Sequence, residues 1–187
     1  MRRLWYFLAL VLSTFNIQAQ TNEVNFRQDA LKIHNDARIE VEQAELKWSG
    51  KLEGQAQRYA NYLAHRDRGL VHDRKTKDGE NIFMHAEMSF TLYYDEDGWT
   101  DVSSSDGNSE SGEHPIITAS MAWLQEREDY TYAPIEYSSS EYIGHYTQMI
   151  WSKTQFVGIA SAISESGTVY VVARYSPAGN ILGGYPY

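Results

Sequence analysis

The sequence contains no cysteine among its 187 residues. Disulfide bonds are therefore excluded, and stability must come from packing. A lipid anchor attached to a cysteine is excluded as well. Any metal site in this chain must use histidine, aspartate or glutamate as ligands.

Basic residues are scarce relative to acidic ones. The chain has 16 lysines and arginines against 25 aspartates and glutamates, for a formal net charge of −9 at pH 7. A negative protein repels phosphate backbones and anionic membrane surfaces. We therefore expect no nucleic acid partner.

Long apolar runs are absent except near the start of the chain. Two arginines precede an apolar run from Leu4 to Leu12, and a more polar stretch follows to Ala19. This layout is typical of a secretory signal peptide, and the run is shorter than the roughly 20 residues that cross a bilayer. We predict a signal peptide over residues 1–19 and a single exported domain over residues 20–187, without an integral membrane segment.

Apolar residues recur at helical spacing in three segments, and two later segments are rich in Val, Ile and aromatic residues. The predicted helices cover about residues 25–39, 50–64 (with Ser49 as N-cap) and 115–129, and the predicted strands cover residues 156–163 and 168–175. Helices first and strands last indicate an α+β domain whose helices pack on an antiparallel sheet.

The middle of the chain has weaker patterns. Residues 80–93 show no clear period, and a short helix is predicted from about Ile82 to Met88. Residues 94–113 are acidic and rich in Gly, Ser and Asp, which predicts a long surface loop.

The segment Gly144 to Trp151 combines a histidine with polar and large apolar residues. A histidine in such a setting is more often a hydrogen-bonded structural residue than a metal ligand when it stands alone. Four other distinctive segments accompany it: His34 to Arg38, Gly79 to Ile82, Trp123 to Glu126, and Tyr175 to Asn180.

These five segments, in this order, resemble the motifs of the CAP superfamily, the SCP-domain proteins that include cysteine-rich secretory proteins, antigen 5 and plant pathogenesis-related 1 proteins. The resemblance covers roughly the whole of residues 20–187. The stretch from Val171 to Asn180 is most similar to the Golgi-associated pathogenesis-related branch. The resemblance implies a three-layer α-β-α sandwich with a central antiparallel sheet.

The resemblance also implies a cleft lined by His72, Glu80, Glu126 and His145. Two imidazoles suit zinc or another divalent metal, with the carboxylates as further ligands or as groups that orient the histidines. The same groups could perform acid–base chemistry through Glu80, Glu126 and His145. No catalytic residue is assigned, because the sequence offers no obvious nucleophile, and a protein without catalysis is favoured.

The remaining motif residues are assigned to structure: His34, Asn35, Arg38, Asn81, Tyr146, Thr147, Gln148, Trp151, Tyr175, Pro177, Gly179 and Asn180. Three functions stay open. The first is an exported binding protein with a metal, and with a sterol or fatty acid as ligand; the second is a metal-dependent hydrolase or peptidase; the third is an extracellular module that binds a protein partner. The expected location is outside the cell, or the periplasm if the source is a Gram-negative bacterium.

Overall fold

The computed structural model describes residues 26–85, 91–95, 98–102, 114–136 and 140–187. The predicted signal peptide and the second half of the predicted acidic loop lie outside these residues. None of the helices within these ranges has the length and apolar character needed to cross a membrane.

The described elements comprise four helices, one 3-10 turn and six strands. The helices are α1 (residues 26–40), α2 (Gly50–Arg66), α3 (Pro115–Gln125) with its 3-10 extension (Glu126–Asp129), and α4 (Ser140–Met149). The strands are β1 (Lys47–Trp48), β2 (Gly79–His85), β3 (Thr91–Asp95), β4 (Gly98–Val102), β5 (Phe156–Ile163) and β6 (Val169–Ser176).

The main sheet has four strands in the order β1-β5-β6-β2. The predicted pair β5 and β6 forms its antiparallel centre, and β2 adds to β6 in antiparallel register. The short strand β1 instead runs parallel to β5, so the sheet is mixed. Strand β2 lies at one edge, which becomes important for the site.

Helices cover both faces of this sheet. Strand β6 is buried along nearly its whole length, and its residues alternate between two apolar clusters. Val171 and Ala173 pack with α1, α3 and α4, whereas Tyr170 and Val172 pack with α2. This alternation follows from the two-residue period of a strand and produces the predicted α-β-α layers.

The predicted helices are confirmed. Ser49 caps α2 by accepting a hydrogen bond from the main-chain N–H of Leu52. Pro115 stands at the start of α3, where its missing N–H costs nothing. This helix continues as a 3-10 turn from Glu126, the residue that contacts His145.

Two local predictions are wrong. The segment predicted as a helix from Ile82 is strand β2 as far as His85, and all seven residues of β2 pair with β6. The segment predicted as a loop from residue 94 instead begins with the end of β3 and includes β4, with Tyr94 opposite Trp99. In both cases pairing with a neighbouring strand determines the structure, and local periodicity does not report it.

Candidate functional site

The first candidate pair joins His72 and Glu80. The Nδ1 atom of His72 lies 2.5 Å from Oε1 of Glu80. Glu80 stands near the start of β2 with only 5% of its side chain exposed, and Arg174 places Nη1 2.9 Å from its Oε2. The main-chain N–H of Asp73 donates to Glu80 Oε1 at 3.0 Å. The carboxylate is therefore held from three sides.

The second pair joins His145, in α4, and Glu126, in the 3-10 turn. His145 Nδ1 lies 2.5 Å from Glu126 Oε1. The other carboxylate oxygen accepts the main-chain N–H groups of His145 and Tyr146 at 2.9 and 3.0 Å. The Trp123 ring stacks on the imidazole at a centroid distance of 6.0 Å. Both the position and the tilt of the imidazole are thus constrained.

These contacts define how each histidine carries its proton. An ionised carboxylate can only accept, so Nδ1 must be the donor in both pairs. The neutral imidazole then has its lone pair on Nε2. Within the described part of the chain, Nε2 of His72 and Nε2 of His145 have no hydrogen-bond partner. A carboxylate on Nδ1 is the usual support for an imidazole that binds a metal through Nε2.

The two pairs lie on either side of edge strand β2. Glu80 shares a face with Arg174, its partner in the strand register. The next residue, Asn81, points to the opposite face and donates to the main-chain carbonyl of His145 at 3.1 Å. The N-terminal end of β2 therefore connects both pairs.

The donor set limits the kind of metal site that would fit. Across the described ranges, no three His, Cys, Asp or Glu side chains are grouped so that they could hold a metal. Both glutamates are engaged by other donors of the protein. Of the four side chains, only the two imidazoles keep an open donor atom, and this does not fit a closed four-ligand structural site.

A buried series of hydrogen bonds connects His34, Tyr175 and Asn81 next to the site. His34 Nδ1 lies 2.8 Å from the Ala30 carbonyl, which can only accept, so Nε2 accepts from the Tyr175 hydroxyl at 2.8 Å. Asn81 donates to the same hydroxyl at 3.0 Å. Burial is the main cause that lowers the pKa of His34 to about 4; the Ala30 hydrogen bond opposes this shift, and the charge of Arg38 adds to it. The histidine is therefore neutral near pH 7.

Arg38 ties α1 to the end of α4. Its guanidinium is fully buried and donates to the carbonyls of Ala44, Met149, Trp151 and Thr154 at 2.6 to 3.1 Å. Burial lowers its pKa to about 10. A cation at carbonyls that end a helix is electrostatically favourable.

The other predicted structural residues lie around the same region. The Asn35 amide exchanges two hydrogen bonds with Leu46. Thr147 donates to Asn180, which donates in turn to the Gly144 carbonyl. Tyr146 and Trp151 are buried. Gln148 accepts a hydrogen bond from the main-chain N–H of Gly179, and Pro177 follows a cis peptide bond.

Sequence reasoning missed Arg174 and Asp73, the two residues that position Glu80. Arg174 is 2% exposed and bridges Glu80 and Asp73, with 2.9 Å to each carboxylate. The signal was present in the sequence, since a buried strand such as β6 rarely carries an arginine without a partner. The identity of that partner depends on the β2–β6 register.

Comparison with known proteins gives a consistent result. Residues 31–175 match the model of the family described as "Cysteine-rich secretory protein family" (CAP). Pathogenesis-related leaf protein 4 of Solanum lycopersicum is 31% identical over 163 residues, covering 87% of this chain and 84% of the relative. Pathogenesis-related protein 1C of Nicotiana tabacum is 30% identical over 186 residues, covering 97% and 94%.

Solved structures share the fold. NaASP2, crystallised with Zn²⁺, has a TM-score of 0.63 at 24% identity over 86% of this chain and 84% of its own. BmVAL-1 has a TM-score of 0.59 at 24% identity over 87% and 81%.

Proposed function

Because the chain belongs to the CAP family of cysteine-rich secretory proteins, we propose that it is an exported binding protein. Its His72 and His145 bind a divalent metal, and zinc is the preferred ion. The carrying observation is that a glutamate contacts Nδ1 of each histidine at 2.5 Å and leaves Nε2 open. Glu80 and Glu126 then serve to orient the imidazoles. Zinc held there would supply a Lewis acid for an oxygen of a ligand.

Export is part of the proposal. It is supported by the predicted signal peptide over residues 1–19 and by the predominance of pathogenesis-related proteins among the relatives. The similarity to a fold crystallised with Zn²⁺ supports the choice of metal. Sterol or fatty-acid binding stays a prediction of the family resemblance.

Calorimetric titration with zinc tests the metal proposal. We expect one ion per chain, with affinity at least tenfold weaker in His72→Ala and in His145→Ala. The variants Glu80→Gln and Glu126→Gln should weaken zinc binding by about 10- to 100-fold, because the imidazoles lose their support. His65→Ala is the matched control, since His65 is an exposed histidine outside both pairs. Circular dichroism establishes that each variant is folded.

Unchanged zinc affinity in folded His72→Ala and His145→Ala proteins would refute the proposal. A broad peptide library then separates the alternatives. The same open Nε2 atoms could act as general bases, so cleavage that disappears in Glu126→Gln would indicate a hydrolase. Absence of cleavage would leave a module that binds a protein partner.

A further inference from the structure

Two pockets adjoin beside α2, because both are lined by Tyr59, Asp73 and Lys75. Their volumes are about 420 and 290 Å³. Pockets for small ligands span roughly 300 to 1,000 Å³. We call the two pockets together the α2 groove. The larger one also includes Tyr62, Arg66, His72 and Arg74, and the smaller one includes Gln55, Arg58 and Arg174.

The α2 groove is lined mainly by positively charged side chains, although the chain as a whole is negatively charged. Five cationic side chains line it: Arg58, Arg66, Arg74, Lys75 and Arg174. Its one lining carboxylate, Asp73, is occupied by Arg174 at 2.9 Å. The four other cations have no acidic partner within the described residues. In a chain of net charge −9, this concentration of positive charge favours an anionic ligand.

Apart from Nη1 of Arg174, which forms an ion pair with Glu80, two buried atoms of residues that line the smaller pocket have no hydrogen-bond partner among the described residues. They are Nε of Arg174, a donor, and Oε1 of Gln55, an acceptor. Buried polar groups in proteins are nearly always paired. A ligand that offers both an anionic oxygen and a hydroxyl group would satisfy the two atoms together.

Stacked rings hold the arginines at the two ends of the groove. The rings of Tyr59 and Tyr62 stack at 5.5 Å, one helical turn apart on α2. The guanidinium of Arg174 lies over Tyr59 at 5.0 Å, and that of Arg66 lies over Tyr62 at 5.6 Å. Stacking by the face leaves most of the edge of the Arg66 guanidinium free to donate to an oxyanion. In Arg174 only Nε is left, because both Nη atoms contact carboxylates.

The turn that carries Arg74 and Lys75 is also fixed in advance. Asp73 Oδ1 accepts the main-chain N–H of Lys75 at 2.9 Å, and the Asp73 carbonyl accepts from Thr76 at 3.4 Å. Nη2 of Arg174 donates a hydrogen bond to Oδ2 of Asp73 at 2.9 Å. Less conformational entropy is therefore lost when a ligand binds.

We propose that the α2 groove binds a small phosphorylated or sulfated sugar. Its anionic oxygens contact the arginines and Lys75, and one of its hydroxyl groups donates to Gln55. A flat membrane surface cannot reach Arg174, which is 2% exposed inside the groove. His72, a proposed metal ligand, also lines the larger pocket, so the test of the groove is carried out without metal.

Calorimetry in the presence of a chelator tests this with glucose 6-phosphate and glucose 6-sulfate. Glucose and inorganic phosphate serve as comparison ligands. We expect both sugar anions to bind, glucose not to bind, and inorganic phosphate to bind at least fivefold more weakly. The double variant Arg74→Gln/Lys75→Gln should weaken sugar-anion binding at least tenfold, because charge-assisted hydrogen bonds are lost.

The matched control is Arg68→Gln/Lys77→Gln, which removes the same charge from exposed neighbours that do not line the groove. It should change affinity less than twofold, and equal losses in both double variants would overturn the proposal. Binding to anionic lipid vesicles without binding to either sugar anion would also overturn it, as would inorganic phosphate binding as tightly as the sugar anions. Zinc affinity should be unchanged in both double variants, which keeps this test separate from the metal test.

Discussion

At the scale of single residues, a buried series of hydrogen bonds runs from Asn81 through Tyr175 to His34, and the direction of each bond in it is fixed. Each member has one role that its neighbours allow: Asn81 donates, Tyr175 accepts and donates, and His34 accepts at Nε2. Because Asn81 also donates to the His145 carbonyl, this series links α1 to the strand between the two His–Glu pairs.

His34 makes stability dependent on pH. Its folded pKa of about 4 lies below the ordinary 6.5, because burial penalises the charged ring. Between these values the unfolded chain binds a proton that the folded chain does not, so stability is complete above pH 6.5 and falls as pH drops toward 4. The loss should be on the order of 3 kcal/mol.

Urea denaturation at a series of pH values measures this dependence. His34→Gln should be less stable than the natural chain at pH 7 and should lose less stability between pH 6.5 and 4. His65→Ala is the control and should retain the steep dependence, since that histidine is exposed. An equally steep dependence in His34→Gln would assign the effect to other groups.

At the scale of elements, the contact of α2 with the sheet depends on a glycine in β5. A Cβ atom at Gly158 would lie 2.2 Å from the main-chain nitrogen of Glu53 and 2.7 Å from the Ser49 carbonyl oxygen. These are backbone atoms at the start of α2, so they cannot move aside as a flexible side chain would.

Gly158→Ala should therefore lower the free energy of unfolding by about 3 kcal/mol, at the upper end of the cost of overpacking. Gly54→Ala, inside α2, provides a control of opposite sign. Its Cβ would meet only Arg58 at an ordinary 3.7 Å, and alanine favours a helix by about 0.5 to 1 kcal/mol over glycine. Chemical denaturation measures both variants; similar effects in the two would contradict the packing argument.

The helices and β2 differ in how readily sequence predicts them. Helix α2 has an apolar stripe, an N-cap at Ser49 and an apolar contact face within one continuous segment. Strand β2 is defined by its pairing with β6, which is distant in the sequence. Its local sequence therefore showed no period, and a helix from Ile82 was predicted in error.

At the scale of the whole molecule, metal binding should be visible as stability. A ligand that binds only the folded chain raises the free energy of unfolding by about 2.7 kcal/mol at a concentration 100 times its dissociation constant. We expect zinc to raise the melting temperature by several degrees and a chelator to reverse the change. The double variant His72→Ala/His145→Ala should show no such rise, and a rise equal to that of the natural chain would place zinc elsewhere.

The sequence by itself determined the family, the α+β class, the three long helices and the β5–β6 hairpin. These features depend on local periodicity, capping residues and short motifs, all of which are readable within one segment. It also named the two histidines and two glutamates of the proposed site, through the family resemblance.

Only the tertiary structure decided how those four residues combine. Glu80 lies beside Arg174 because β2 pairs with β6 in one register, and Glu126 reaches His145 because the end of α3 packs against α4. The parallel strand β1 and the cationic α2 groove arise in the same way. All of them join residues far apart in the chain, and the free energy of such contacts depends on global packing rather than on local sequence.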